Sequence, residues 1–198
     1  KTKKNSIEIC EDFIKSDSDM FEIIFQKRPK LGGAMMDAFE YVSNTTHTIM
    51  MSSDLETNPN LVKTMIEKSK INPDAIITAS RWKNKIGFKD YGFFKVFLNF
   101  LFQRFFSMLY KTNCTDLTYG FRIFPNNLIK KIIWERYDHS FLFETIIKPL
   151  KLGIKVFEVN TVWEKRIEGK SNNNIMNYFW YFYIGIKVLI TNKNNIVK

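Results

Sequence analysis

The chain has 198 residues, enough for one domain with a buried core, and its 45% hydrophobic and 25% charged residues are the composition of a folded soluble domain. Two cysteines, Cys10 and Cys114, are too few for a disulfide framework and fit no metal-ligand or redox spacing, which makes a reducing compartment the default. An aromatic content of 16%, with 19 Phe, and a net charge of +10 leave three kinds of anionic partner: nucleic acid, a membrane surface or a phosphorylated small molecule.

Ile7 to Lys15 is predicted as a helix, with Ile7, Cys10, Phe13 and Ile14 on one stripe. Phe21 to Gln26 is a short apolar run suited to a buried strand. Lys30-Leu31-Gly32-Gly33 breaks the chain and opens a helix reaching about Ser43. Thr48 to Ser52 reads as a second buried strand that ends in Ser52-Ser53-Asp54. Pro59 sits near the first turn of the next helix, which carries Leu61, Met65 and Ile66. Asp74 to Ala79 is a third strand ending in Ser80-Arg81. This alternation predicts an α/β domain with a mixed, mostly parallel sheet and flanking helices. Ligands bind such sheets beyond the carboxyl ends of the strands, where Asp54 and Arg81 fall.

Gly92 to Tyr110 places Phe93, Phe94, Phe97, Leu98, Leu101, Phe102, Phe105, Met108 and Leu109 at helical spacing, with Val96, Phe100 and Phe106 widening the apolar face. That face is broader than a core-facing helix needs, while Lys95, Asn99, Gln103 and Arg104 argue against a membrane span. A helix follows between Phe141 and Gly153. Lys155 to Glu164 is then a strand on which Phe157, Val159, Thr161 and Trp163 alternate. Tyr178 to Ile190 is almost wholly apolar, with Lys187 its only charge, and too short for the roughly 20 residues of a span. It reads as an interfacial helix. Most aromatics lie in apolar periodic runs rather than among Lys and Arg, so nucleic acid is not an expected partner. His47 and His139 are isolated and read as structural or exposed.

Asp54-Leu55-Glu56 has two readings. In an extended segment residues i and i+2 point the same way, so both carboxylates could approach one Mg²⁺ or Mn²⁺. Alternatively Asp54 caps the helix near Pro59 and Glu56 is solvated. Arg81, Arg122, Arg166 and Lys170 lie at element ends or in loops, where each is either a solvated charge or part of a converging phosphate site.

The order of these pieces resembles the GT-A glycosyltransferases. Gly32-Gly33-Ala34, Met51 to Pro59 through Asp54-Leu55-Glu56, and Ala79-Ser80-Arg81 are similar to their nucleotide-sugar half. The series continues with Asp116-Leu117-Thr118-Tyr119-Gly120-Phe121-Arg122, Phe143-Glu144, Glu158-Val159 and Arg166-Ile167-Glu168-Gly169-Lys170-Ser171. It resembles the dolichol-phosphate mannosyltransferase and polyprenyl-phosphate glycosyltransferase branch. The resemblance implies an inverting, metal-dependent hexosyltransferase moving a sugar from a GDP-mannose or UDP-glucose type nucleotide sugar to a polyprenyl phosphate. It implies Asp54 and Glu56 as ligands of Mg²⁺ or Mn²⁺. Arg81, Arg122, Arg166, Lys170 and Ser171 become phosphate-binding residues, and Asp54, Asp116, Arg122 and Glu144 catalytic ones. It also implies attachment to the cytoplasmic face of a membrane. Residues 1–172 would form the GT-A domain, including an interfacial helix near 92–110, and 173–198 a membrane-interface helix and tail. Two departures stand out. Ser52 occupies the first carboxylate position of the family's Asp-x-Asp pair, and the family's first two strands have no counterpart, so the chain is expected to be N-terminally truncated. A non-catalytic accessory protein that kept the fold is the alternative expectation.

Overall fold

The computed structural model describes residues 4–42, 45–83, 87–88, 92–164 and 176–198. The chain forms helices α1 (Lys4–Ser16) and α2 (Lys30–Glu40), strand β1 (His47–Met50), helix α3 (Leu61–Ile71), strand β2 (Ile76–Ser80) and helix α4 (Phe93–Leu109). Strand β3 (Arg122–Pro125), helices α5 (Asn126–Lys131) and α6 (Phe141–Leu152), strand β4 (Val156–Asn160) and helix α7 (Met176–Ile190) follow.

The strand order is β1-β3-β2-β4. β3 runs antiparallel to β1 and β2, and β4 parallel to β2. Three of the four strands therefore share one direction, with β3 reversed between them. This is a mixed sheet, as the alternating pattern predicts, although two of its three pairings are antiparallel.

Side chains alternate across the sheet, and each face meets its own helices. Met65 of α3 packs with Ile77, Ala79, Phe121 and Ile123 on one face. On the other, Ile76 and Phe124 join Met36 and Phe39 of α2, Leu128 of α5, and Phe141, Phe143 and Ile147 of α6. Phe106, Phe124, Phe141 and Phe143 are fully enclosed, which accounts for part of the aromatic content.

One predicted strand is absent. Phe21 to Gln26 is irregular chain outside the sheet, with Phe25 73% exposed. The chain here is directed elsewhere, because the amides of Lys27 and Arg28 both donate to the buried Asp37 carboxylate of α2. The stripe on α1 is only partly buried: Ile7 and Ile14 are half-buried, while Phe13 is 54% exposed and packs on the ring of Phe21.

Helix α7 is half core. Ile184 and Val188 are buried, and Gly185 brings the backbone against the rings of Phe106 and Phe143. A Cβ there would stand 2.3 Å from Phe106 Cε1, and Phe106 has no exposed surface through which to retreat. The Tyr110 hydroxyl donates to the Gly185 carbonyl at 2.7 Å, and Lys187 pairs with Glu135. Gly185→Ala is expected to lower stability by about 1–3 kcal/mol through overpacking, measured by urea unfolding; an unchanged midpoint would contradict this packing.

Candidate active site

Because β1, β2 and β4 run the same way, their carboxyl ends lie on one edge of the sheet, and β3, reversed, begins there. That edge carries the loops after Met50, Ser80 and Asn160, together with the segment entering Arg122. The loops are stitched to one another. Trp163 N donates to Gly87 O at 2.9 Å, Glu164 N to Glu56 O at 3.0 Å and Thr161 N to Ser80 O at 3.0 Å.

Asp116 lies at the centre of this edge and has no exposed surface. Arg81 meets it side-on, Nε donating to Oδ2 at 2.7 Å and Nη2 to Oδ1 at 2.9 Å, while the Arg81 amide donates to Oδ2 at 3.2 Å. Burial pushes the Asp116 carboxyl upward, but the charge and hydrogen bonds of Arg81 outweigh it and hold the group below the ordinary aspartate range. Asp116 therefore stays ionised and positions Arg81. From α4, Gln103 Nε2 donates to Thr118 Oγ1 at 2.8 Å and its Oε1 accepts the Leu117 amide at 2.8 Å. Beneath them Glu158 of β4 accepts the amides of Thr115 and Asp116 at 2.7 and 2.8 Å. Glu158 and Gln103 hold this loop, yet in the sequence they were only a motif member and an interruption of an apolar helix. The available signal was a carboxylate inside an apolar strand, which must find donors if it is buried.

Asp54 and Glu56 lie in the loop after β1, but not in an extended segment. Leu55 between them has φ 58°, a left-handed conformation that costs a non-glycine residue about 1 kcal/mol or more. The result is a turn in which Asp54 Oδ1 accepts the Glu56 amide at 3.2 Å, and Glu56 Oε2 accepts the Trp163 indole N–H at 3.0 Å. The same-face argument for the two carboxylates is thereby corrected, since it assumed extended backbone. The capping alternative is not realised either, because Asn60 occupies the N-cap of α3. Tyr119 connects the two clusters. Its ring stacks on the Arg81 guanidinium at 4.5 Å, and its phenol, pushed up by burial, feels Arg81, Asp116, Glu56 and Asp54.

Two predicted site residues are placed elsewhere. Arg122 is fully buried, with Nε donating to Thr78 Oγ1 at 3.1 Å, Nη2 to Leu117 O at 3.0 Å and Nη1 to Leu142 O and Thr145 Oγ1. Burial pulls its guanidinium down to about 9, still cationic at neutral pH. It ties α6 and the 117 loop to β2, an inward geometry that presents no fork to a phosphate. Glu144 is also fully buried and accepts the amides of Glu135 and Arg136 at 3.0 and 2.9 Å, with Lys148 Nζ at 2.6 Å. Burial raises its carboxyl against the pull of Lys148. It anchors the 135–136 segment rather than lining the edge. Gly32 serves the same segment, its amide donating to Tyr137 O at 2.7 Å, so that amide does not face a ligand. Arg166, Lys170 and Ser171 lie outside the described residues.

The glycosyl transferase family 2 model matches residues 1–134. The chain belongs to glycosyl transferase family 2. The crystal structure of glucosyl-3-phosphoglycerate synthase from Mycobacterium tuberculosis in complex with uridine-diphosphate superposes with a TM-score of 0.57 at 10% identity, over 91% of this chain and 64% of that one. At that identity the likeness concerns the fold, a GT-A glycosyltransferase fold, and this chain spans just under two thirds of that protein's chain. A stretch is 38% identical over 80 residues to the Nus factor SuhB of Buchnera aphidicola subsp. Acyrthosiphon pisum (strain APS), covering 38% of this chain and 29% of that protein.

The buried pair gives a prediction. Asp116→Asn leaves the Arg81 guanidinium without its charge partner and is expected to cost about 3–5 kcal/mol at pH 7. The lowered Asp116 pKa means its contribution is present above the ordinary value of 3.8 and is lost as pH falls through the folded value. Urea unfolding of both proteins across pH 7 to 2.5 should show the gap closing at the acid end; a constant gap would refute the ionised pairing.

Proposed function

We propose that this chain is the catalytic part of an inverting glycosyltransferase that moves a hexose from a GDP-mannose or UDP-glucose type nucleotide sugar to a polyprenyl phosphate. The observation that carries the reading is the meeting of the Asp54–Glu56 turn with the Arg81–Asp116 pair around Tyr119, at the carboxyl edge of the parallel strands. The family supports a glycosyl transfer; the acceptor and donor are this proposal's own.

In the proposed reaction an acceptor phosphate oxygen bonds to the anomeric carbon as the bond from that carbon to the donor diphosphate breaks, inverting the centre. An ionised phosphate is already a nucleophile, so no strong base is required. That suits Asp116, whose carboxylate is locked against Arg81. The chain must supply positioning and charge compensation for the leaving diphosphate. We assign this to Arg81, at the strand end and paired with Asp116, with Arg166, Lys170 and Ser171 assigned to the same task by resemblance.

Two carboxylates with only oxygen donors suit Mg²⁺ or Mn²⁺, which keep water and substrate phosphates in their shell. Among the described residues no three His, Cys, Asp or Glu gather into a metal cage. By the family resemblance, rather than by the same-face geometry, Asp54 and Glu56 would hold it, where it would neutralise the departing diphosphate.

The lipid acceptor is proposed from a surface. On α4 the outward arc carries Phe93, Phe94, Phe97, Leu98, Leu101, Phe105 and Met108, exposed by between 40% and 86%. Phe179, Phe182, Ile186 and Ile190 of α7 are also exposed, and Phe182 lies 6.1 Å from Phe105, so the two helices present one apolar surface. Lys95, Arg104 and Lys111 accompany it, and the chain's charge is +10. Such a surface fits an anionic leaflet, in keeping with the cytoplasmic face. Among the described residues no helix is long and apolar enough to cross a membrane. Flotation with phosphatidylglycerol–phosphatidylcholine vesicles should recover the chain. Phe94→Asp with Leu101→Asp should cut recovery about tenfold or more without lowering Tm; equal recovery would exclude this face.

One observation favours the accessory alternative: both candidate metal ligands accept hydrogen bonds from the protein itself. The product of the complete open reading frame, in detergent with a short polyprenyl phosphate and radiolabelled GDP- and UDP-sugars, separates the two. A lipid-extractable product that needs Mn²⁺ or Mg²⁺ is expected, with Asp54→Ala reducing it about a hundredfold or more at unchanged Tm. No product from any donor, with folded protein and bound lipid, would leave the accessory role.

A further inference from the structure

We propose that the Tyr119 hydroxyl is a ligand-binding group of this site, donating a hydrogen bond to a phosphate oxygen of a bound nucleoside diphosphate. The assignment rests on the site reading above and gives a role to a residue that reading left without one.

Among the described residues, Tyr119 Oη is the one buried side-chain polar atom with no hydrogen-bond partner. Buried hydroxyls are almost always satisfied, and an exception calls for a reason. Poor packing is not the reason here. The ring lies against the cluster of Met65, Ile77, Ala79, Phe121 and Ile123 on one side of the sheet. It also stacks at 4.5 Å on a guanidinium that Asp116 holds by two side-chain hydrogen bonds. The residue as a whole is half-buried, but its hydroxyl is enclosed, so the orphan donor sits beneath the surface of the fold.

The surroundings select the acceptor. The charged groups acting on Tyr119 are the cation Arg81 and the carboxylates of Asp116, Glu56 and Asp54. Asp116 is occupied by Arg81, and the Asp54–Glu56 turn is closed by its own amide and by Trp163. Burial keeps the phenol protonated, so it is a donor and not a base. A protonated donor beside the Arg81 cation, next to a ring stacked on that guanidinium, matches an anionic oxygen such as that of a diphosphate. Because the hydroxyl is enclosed in the ligand-free chain, binding of the diphosphate requires its wall to open.

Tyr119→Phe removes the hydroxyl and keeps the ring and its stacking on Arg81. The product of the complete open reading frame is titrated calorimetrically with UDP and with GDP, each with saturating Mn²⁺, for wild type and variant. The wild type should bind one of the two, and the variant should bind it about tenfold or more weakly. Without nucleotide, Tm of the variant should equal or exceed that of the wild type, because an unsatisfied group has been removed. Equal affinity overturns the assignment, and so does a lower nucleotide-free Tm, which would mean the hydroxyl has a partner within the fold. A wild type that binds neither nucleotide overturns the diphosphate site itself, and the role of Tyr119 with it.

Discussion

The buried pairing of Arg81 with Asp116 is the contact on which the carboxyl edge of the sheet depends. Taking two charges out of water is costly, and their attraction compensates only when the geometry is good and the remaining donors and acceptors are filled. Here the fork is side-on, and Thr118, Gln103 and the Arg81 amide surround it. Glu158 then clamps the backbone on which Asp116 sits. The order of dependence runs from the Glu158 carboxylate to the Asp116 amide, from the Asp116 carboxylate to Arg81, and from Arg81 to the Tyr119 ring. Each is held by a group on a different element, so the edge is assembled only when β2, β4 and α4 are all in place.

A second set of buried charges does the corresponding work at the far side of α6. Lys148, almost fully enclosed, bridges Glu144 and Glu135 at 2.6 and 2.9 Å, and Glu135 passes the charge on to Lys187 of α7. Arg136 lies 4.3 Å from the Trp180 ring. Helix α7 is thus located by a cation–π contact at Trp180, an ion pair at Lys187 and, between them, Gly185. Apolar burial alone is non-directional and would not fix its rotation.

Much of the architecture was legible in the residue pattern. The alternation of strand and helix, the strand ends at Asp54 and Arg81, and the overly broad apolar face of α4 follow from periodicity, which reports burial and direction. The failures are of two physical kinds. Backbone conformation at a single residue is invisible to periodicity, so Leu55 was read as extended when it is left-handed. Charge in a sequence carries no information on burial, so Arg122 and Glu144 looked like ligand-facing groups, while their hydrogen bonds place them inside the scaffold. Phe21 to Gln26 shows the complementary error: apolar residues make a strand only where a neighbouring edge accepts their amides, and here Asp37 takes the next two amides along the chain instead.

Helix α4 joins two kinds of chemistry across its own width. Gln103 on its inner side holds the Asp116 loop, while Leu101 and Phe105, two residues to either side, face outward. An α-helix with side chains is roughly 10–12 Å across. A hydrophobic molecule seated on the outer surface therefore rests about one helix diameter from the buried ion pair, with no intervening layer of protein. A long-chain phosphate arriving there would need to extend only its polar end around one cylinder, leaving its hydrocarbon where it already lay.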